Sequence, residues 1–292
     1  MIPGAPAERP GREPAGSHPS IALALGGGSA RGLAHVLVLE ALDELGLRPA
    51  IIAGTSMGAI CGAAYAAGLS GAELRAEFTA LFASRARFFR HLAGKLRGGI
   101  THLWSLRAPH VVDNVTLFEM LLPEVMRCDF AALRIPLLAV AADFFAMEQV
   151  VLDRGPLIPA LAASSALPSL ARPVVLDGRV LIDGGFVNPV PYDVVLGRAQ
   201  IVVAVDVTGS TLRRSSARPP RTIDAITGST QILFRSVTRE KLRRAAPDLL
   251  VEPDVGAFGS LDYFKIGAIL AAATPIKERM KNDISQVFAR SG

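Results

Sequence analysis

Two short apolar runs near the start of the chain each end in glycine and lead into a helical pattern. The first run is 20–25 (SIALAL), after which leucine and valine recur with helical spacing from Leu33 to Leu45. The second run is 50–53, and the helical pattern after it continues to Gly68. Because strand–turn–helix units used twice in this way place their strands side by side, the pattern predicts a parallel sheet covered by helices.

Further apolar runs extend this pattern over the rest of the chain. Strands are predicted at 136–142, 148–152, 173–176, 179–182, 201–206 and 248–251. Helical periodicity fills 114–122, 157–165, 222–245 and 262–289. The sequence therefore predicts an α/β fold.

The composition favours a large folded core and excludes several classes of protein. The 292 residues are 50% apolar and 20% charged, which is too apolar for a disordered chain. Two cysteines are too few for a disulfide framework, and no His, Cys and Asp cluster has metal-ligand spacing, so we expect no metal and no cofactor. The net charge of +5 is mild, and we expect no nucleic-acid partner. Residues 1–19, rich in Pro and Gly, are expected to form a disordered N-terminal tail without a secretory signal.

Two segments raise the question of membrane contact. Residues 49–72 carry no charged side chain, but alanine and glycine dominate them, so a buried strand, a tight turn and a packed helix explain them better than a membrane span. Residues 78–112 mix arginine and lysine with aromatic residues and contain no Asp or Glu. That mixture is typical of an amphipathic lid or a segment facing anionic lipid, and an ordinary surface helix explains it equally well. We expect a cytoplasmic protein that can make peripheral contact with an anionic membrane.

A G-x-S-x-G sequence follows the second predicted strand and opens the next helix. Its serine is Ser56, flanked by Gly54 and Gly58. A serine on a sharp strand-to-helix turn needs neighbours without Cβ, and its hydroxyl then stands exposed at the carboxyl edge of the sheet. This context predicts that Ser56 is a nucleophile. The alternative is a turn in which Ser56 only caps the helix.

A serine nucleophile needs a base, and the order of residues excludes a late histidine. All five histidines precede residue 111, so the order Ser, acid, His of the α/β-hydrolases cannot be built. His35 lies inside the first helical pattern, where a packing role is expected. The remaining candidate is Asp183, which ends an apolar run before Gly184 and Gly185. Taken alone these residues would be an ordinary Asp-Gly turn; beside the two other glycine motifs they favour a base that burial makes a better proton acceptor.

The third motif is the glycine-rich loop after the first strand, residues 26–32 (GGGSARG). Successive glycines let backbone N–H groups converge on one point, and the following helix adds its positive end. Such a loop can bind a phosphate or an oxyanion. A dinucleotide site is the rival interpretation, but the second strand ends in Gly54, Thr55 and Ser56 without the acid that would hold a ribose.

Together these motifs resemble those of the patatin-like phospholipase family. The family pattern G-G-G-x-x-[RK]-G corresponds to 26–32, G-x-S-x-G to 54–58 and D-G-[GA] to 183–185, in the family's order. Residues 163–168 (ASSALP) and 188–191 (NPVP) resemble two further family segments. The resemblance covers about residues 20–206. It implies a three-layer α/β/α fold with a mostly parallel central sheet, and we expect one such domain over 20–292.

The resemblance also implies a serine esterase that hydrolyses acyl esters of phospholipids or lysophospholipids through an acyl-serine intermediate. Ser56 would be the nucleophile and Asp183 the base that accepts its proton. The oxyanion hole would be formed by backbone amides drawn from Gly26, Gly27, Gly28, Ser29 and Met57. The residues expected to support the three motifs are Arg31, Gly32, Gly54, Met57, Gly58, Gly184 and Gly185. A non-catalytic lipid- or acyl-binding module and an acyltransferase with the same dyad stay open as alternatives.

Overall fold

The strands form one mixed sheet whose middle is parallel. The computed structural model of the protein describes residues 19–86, 88, 113–168, 170–208 and 222–291. Within these ranges the strands are β1 (Ile21–Leu25), β2 (Ile51–Thr55), β3 (Leu137–Asp143), β4 (Glu148–Leu152), β5 (Val174–Leu176), β6 (Arg179–Asp183), β7 (Ile201–Val205) and β8 (Leu249–Val251). They lie in the order β5-β6-β3-β2-β1-β7-β8, with β4 paired to β3. The pairs among β3, β2, β1, β7 and β8 are parallel, whereas β4 and β6 run antiparallel to β3, and β5 runs antiparallel to β6.

Helices cover both faces of this sheet. The described helices are α1 (His35–Glu44), α2 (Met57–Ala66), α3 (Gly71–Phe82), α4 (Asn114–Leu121), α5 (Leu157–Ser164), α6 (Thr222–Arg244), α7 (Ile266–Ala273) and α8 (Ile276–Ser291). Along β1, Leu23 and Leu25 enter the large core shared with α1 to α5, α7 and α8, whereas Ala22 and Ala24 enter a smaller core. That smaller core is covered by residues 190–195 and by Leu242 of α6. The predicted three-layer α/β/α architecture is confirmed.

The predicted elements differ from the observed ones in three places. A 3-10 turn, Ser29–Ala34, precedes α1 where one continuous helix was expected. The predicted helix over 262–289 is divided into a 3-10 turn, α7 and α8, because Pro275 lacks the amide that would continue the helix. Helix α3 was not predicted, although Ser70 and Glu73 form a capping box at its start.

The segments considered for membrane contact are only partly described. Residues 49–72 contain β2, a tight turn and α2, as predicted, and end in the first two residues of α3. None of the helices within the described ranges is long and apolar enough to cross a bilayer. The predicted tail lies outside the described residues except for Pro19, and so does most of the predicted lid over 78–112. The described start of that segment belongs to α3, where Phe78 is buried in the main core.

Because β3 extends beyond the end of β2, a second strand, β6, pairs with the remaining length of the same edge of β3. Thr55, the last residue of β2, pairs with Val140 of β3, and Asp183, the last residue of β6, pairs with the next residue, Ala141. The other edge of β3 is occupied by β4 over this length. Strands β2 and β6 therefore share one edge of β3. As a consequence, Asp183 lies beside the turn that follows Thr55.

Candidate active site

Ser56 occupies a sharp, strained turn between β2 and α2. Its backbone φ is 54° and its ψ is −122°, a left-handed conformation that side chains other than glycine rarely adopt. The turn passes so close to β1 that a Cβ on Gly58 would lie 2.1 Å from the carbonyl oxygen of Leu25. Glycine is therefore required at position 58, while Gly54 precedes the turn within β2. The backbone has the geometry that the G-x-S-x-G motif predicts.

Hydrogen bonds from two other segments hold this turn. The backbone N–H of Ser56 donates to the hydroxyl of Ser164 at 3.0 Å, and that hydroxyl donates to the carbonyl of Val140 at 2.6 Å. On the other side, the hydroxyl of Thr55 donates to the carbonyl of Asn188 at 2.8 Å. Ser164 and Asn188 lie in the two further segments that resemble the family, and their positioning role was not predicted. Because Ser164 takes the amide of Ser56, that amide is not free to bind a substrate.

Asp183 ends β6 beside Ser56 with its carboxyl group almost completely buried. The residue is 2% exposed, and the amide of Gly185 donates to Oδ1 at 2.8 Å. Burial raises the pKa of Asp183 to about 6, while hydrogen bonds from the Gly185 amide and the Ser56 hydroxyl act in the opposite direction. Gly184 passes against β3, where a Cβ would lie 2.2 Å from the carbonyl of Val140. The structure thus brings Ser56 and Asp183 together.

The glycine-rich loop lies beside this pair, but two of its amides are already engaged. Gly26 N–H donates to the carbonyl of Val205 at 2.9 Å, and Gly27 N–H donates to that of Pro189 at 2.8 Å. The prediction that these two amides form the oxyanion hole is therefore wrong, because they fix the loop to its neighbours. The amides of Gly28 and Ser29 have no acceptor among the described residues, and neither has that of Met57 at the start of α2.

Arg31, Gly32 and the nearby His35 support the shape of the loop. His35 Nε2 donates to the carbonyl of Gly26 at 2.7 Å. Burial lowers the pKa of His35 to about 4, so the ring is neutral at pH 7, in keeping with its predicted packing role. Arg31 is buried and donates to the carbonyl of Thr208 at 2.6 Å, which ties the loop to the end of β7. Gly32 packs against Met57, where a Cβ would lie 2.5 Å from the methionine side chain.

Known proteins resemble this chain in sequence and in fold. A family model described as patatin-like phospholipase matches residues 23–196. The chain belongs to the patatin-like phospholipase family. An uncharacterized NTE family protein of Mycobacterium tuberculosis is 38% identical over 195 residues, which cover 66% of this chain and 51% of the relative. A patatin-like phospholipase domain-containing protein of Caenorhabditis elegans is 29% identical over 277 residues, covering 86% of this chain and 20% of that protein.

A solved structure shares the fold of this patatin-like chain. VipD from Legionella pneumophila aligns with a TM-score of 0.52 at 14% identity, covering 91% of this chain and 67% of that structure. The family match ends at residue 196, and the chain spans about half the length of the mycobacterial relative.

An apolar pocket opens beside Ser56 and Asp183. It has a volume of about 310 Å³ and is lined mainly by aliphatic and aromatic side chains. Those contributed by α2, α3 and α4 are Met57, Ile60, Phe78, Leu81, Phe82, Leu117, Phe118 and Leu121. Phe82 also stacks on Phe88 with ring centroids 6.0 Å apart, so the described start of the predicted lid forms a wall of this pocket.

Residues beyond the family match also contribute to the site, and no sequence motif indicated them. Tyr263 lines the same pocket. Burial raises the pKa of Tyr263 to about 12; the charge of Asp183 adds to this increase, and a hydrogen bond with Ser29 opposes it. Phe234 of α6 packs over Gly185, where a Cβ would lie 2.4 Å from its ring.

Lys241 of α6 holds the segment that supports both the serine turn and the glycine loop. Its ammonium group donates to Asn188 Oδ1, to Asp193 Oδ1 and, at 2.9 Å, to the carbonyl of Val190. It also lies 4.6 Å from the centre of the Tyr192 ring. The backbone carbonyls of this segment accept hydrogen bonds from Thr55 and from the glycine loop, so Lys241 acts on the site through them.

Proposed function

We propose that this protein is a serine esterase that hydrolyses acyl esters of phospholipids or lysophospholipids through a Ser56–Asp183 dyad. One observation carries the proposal: a serine in a strained turn faces a buried carboxyl group, and both residues line an apolar pocket. Membership of the patatin-like phospholipase family supports a lipid hydrolase.

In the proposed acylation step, Ser56 Oγ attacks the ester carbonyl carbon while its proton moves to Asp183. The carbonyl oxygen becomes an oxyanion, and in this proposal the amides of Gly28, Ser29 and Met57, which have no acceptor among the described residues, stabilise it. Met57 begins α2, and the positive end of the helix favours the developing charge. The ester bond then breaks, the leaving alcohol takes the proton from Asp183, and the acyl group stays on Ser56.

Deacylation uses the same groups in the reverse sense. Water attacks the acyl carbonyl carbon and gives a proton to Asp183. The bond between that carbon and Ser56 Oγ then breaks, Oγ takes the proton back from Asp183, and the fatty acid leaves. An ordinary aspartate is a weak base near neutral pH, but the burial that raises the pKa of Asp183 to about 6 makes it a better acceptor. A group with this pKa is still mostly ionised at pH 7, as a base must be.

The pocket supports an acyl ester as substrate. Apart from Ser29, Ser56, Asn114, Ser165, Asp183 and Tyr263, its lining is apolar, which suits a fatty acyl chain held beside the reacting ester. The lid predicted over 78–112 and peripheral contact with an anionic membrane belong to this proposal.

Fluorophosphonate labelling and ester hydrolysis test the dyad. Wild type should label and should release p-nitrophenol from p-nitrophenyl acyl esters, while Ser56→Ala should stay folded and do neither. Ser285→Ala, which removes an exposed serine on α8, is the matched control and should behave as wild type. Equal turnover by Ser56→Ala would refute the dyad.

Two alternatives use the same pocket and give different results. A non-catalytic acyl-binding module would bind lipid without labelling. An acyltransferase would label and would form a new ester when an alcohol acceptor is added. Product analysis with and without that acceptor separates transfer from hydrolysis.

A further inference from the structure

The turn between β3 and β4 exposes an unusual amount of apolar surface. Phe144 is 53% exposed, Phe145 73% and Met147 85%. Val175 of β5, 70% exposed, lies in the same row across the sheet with Val180 of β6 between, because Val180 pairs with Val175 and accepts a hydrogen bond from the backbone N–H of Phe144 at 2.8 Å. Contiguous exposed apolar side chains of this size mark a contact surface, whereas single ones do not.

The turn is built to hold these side chains outward. Asp143 Oδ1 accepts hydrogen bonds from the amides of Phe145 at 3.1 Å and Ala146 at 3.0 Å. The amide of Met147 donates to the carbonyl of Asp143 at 3.0 Å, and Met147 has a left-handed φ of 55°. The two phenylalanine rings pack edge to face with centroids 5.2 Å apart. The exposure therefore belongs to a defined turn, which we name the aromatic tip (residues 144–147).

The charges beside the aromatic tip compensate one another in part. Arg179 of β6 lies 4.0 Å from Asp143 and 3.7 Å from Glu148, the residues at the two ends of the turn. One positive charge against two carboxylates leaves a net charge of −1 at the base of the tip, which gives no attraction to an anionic surface. An apolar tip whose base carries so small a net charge suits insertion among zwitterionic lipid head groups by the hydrophobic effect, with little dependence on salt.

The aromatic tip projects from the sheet edge that carries the candidate active site. Asp183 pairs with Ala141, and Phe145 follows four residues further along the chain, roughly 13 Å at about 3.3 Å per residue. A surface touched by the tip would therefore lie on the same edge of the sheet as Ser56. That placement favours a lipid aggregate as the occupant, because the substrate of the proposed reaction resides in one.

We propose that the aromatic tip inserts into a lipid surface and anchors the protein there with the candidate site facing the lipid. The inference rests on the proposed lipid-ester function for its choice of partner, but the binding step needs neither Ser56 nor Asp183. It differs from the anionic contact predicted for 78–112, because it requires no charge on the lipid.

Sedimentation with vesicles of phosphatidylcholine alone tests the binding. Wild type should bind at both low and high salt, and Phe145→Ser should weaken binding about tenfold or more, because one inserted phenylalanine contributes a factor of that order. Ile232→Ser is the matched control, since Ile232 of α6 is 71% exposed and lies outside the tip; its binding should match wild type. Hydrolysis of a water-soluble p-nitrophenyl ester should be the same in all three proteins, so a failure of the proposed catalysis is seen separately.

A fluorescence experiment reports insertion directly. The sequence contains one tryptophan, Trp104, so a Trp104→Phe, Phe145→Trp double variant has a single indole at the tip. Its emission should shift to the blue on phosphatidylcholine vesicles and be quenched by brominated acyl chains. Unchanged emission, equal sedimentation of Phe145→Ser and wild type, or absence of wild-type binding would each overturn the proposal. So would sedimentation velocity showing a dimer that Phe145→Ser dissociates, because the tip would then be a contact between two copies.

Discussion

Replacing Asp183 by asparagine should abolish hydrolysis and, above pH 6, make the protein more stable. The pKa of Asp183 rises from its ordinary value of 3.8 to about 6 on folding, because burial disfavours the carboxylate. At ~1.4 kcal/mol per pH unit, that difference costs the folded state about 3 kcal/mol once the group is ionised. Asparagine has nearly the same shape and carries no charge, so the variant should escape this cost.

Because the pKa of Asp183 is raised on folding, the stability gained by Asp183→Asn depends on pH. A carboxyl group whose pKa is raised on folding favours the folded state below its unfolded pKa, and this advantage is lost as the pH rises from 3.8 through about 6. The stability gained by Asp183→Asn should therefore be largest above pH 7. It should fall to about 1 kcal/mol at pH 4.5 by the same linkage.

Urea unfolding at pH 8 and at pH 4.5 measures this difference. Ser56→Ala is the control, because it is also inactive by the proposed mechanism but keeps the carboxylate. The kcat/KM of wild type should fall about tenfold for each pH unit below 6, as the base becomes protonated. Equal stability of Asp183→Asn and wild type at pH 8, or a gain that did not shrink at pH 4.5, would refute a carboxylate strained by burial.

Three other substitutions probe the framework around the site. Gly58→Ala should lower the free energy of unfolding by more than about 3 kcal/mol or prevent folding, because its Cβ would overlap the carbonyl of Leu25. Gly228→Ala, in open space on α6, should raise the free energy of unfolding by up to ~1 kcal/mol. Thermal unfolding measures both changes. Ser164→Ala should lower kcat and cost about 1–3 kcal/mol in urea unfolding, since two buried hydrogen-bonding groups lose their partner. Lys241→Met should lower kcat about tenfold or more with little change in KM, and Lys241→Arg should restore part of it in steady-state kinetics.

The sequence predicted the parts of the fold that depend on local pattern. Apolar runs ending in glycine located β1 and β2, and the G-x-S-x-G spacing anticipated the strained turn at Ser56. Helix α3 was missed because only Leu74 and Phe78 of its apolar side chains are buried, and because the capping box of Ser70 and Glu73 at its start was overlooked. The predicted helix over 262–289 is divided because Pro275 interrupts it, and the prediction from apolar periodicity took no account of that proline.

What the sequence could not predict are contacts between distant segments. The oxyanion prediction failed at Gly26 and Gly27 because their acceptors, Val205 and Pro189, lie far along the chain. The positioning role of Lys241 was not predicted for the same reason, since its partners are backbone and side-chain oxygens more than forty positions earlier. The sequence pattern shows neither which carbonyl accepts a hydrogen bond from a given amide nor which oxygen atoms a lysine contacts.

The end-to-end meeting of β2 and β6 on one edge of β3 has a consequence for biogenesis. A ribosome releases the serine turn long before it releases the aspartate, and the carboxylate has no position until β3 is already in the sheet. By the proposed mechanism, a partly synthesised or partly folded chain would thus carry an inert hydroxyl and could not attack membranes near the site of synthesis.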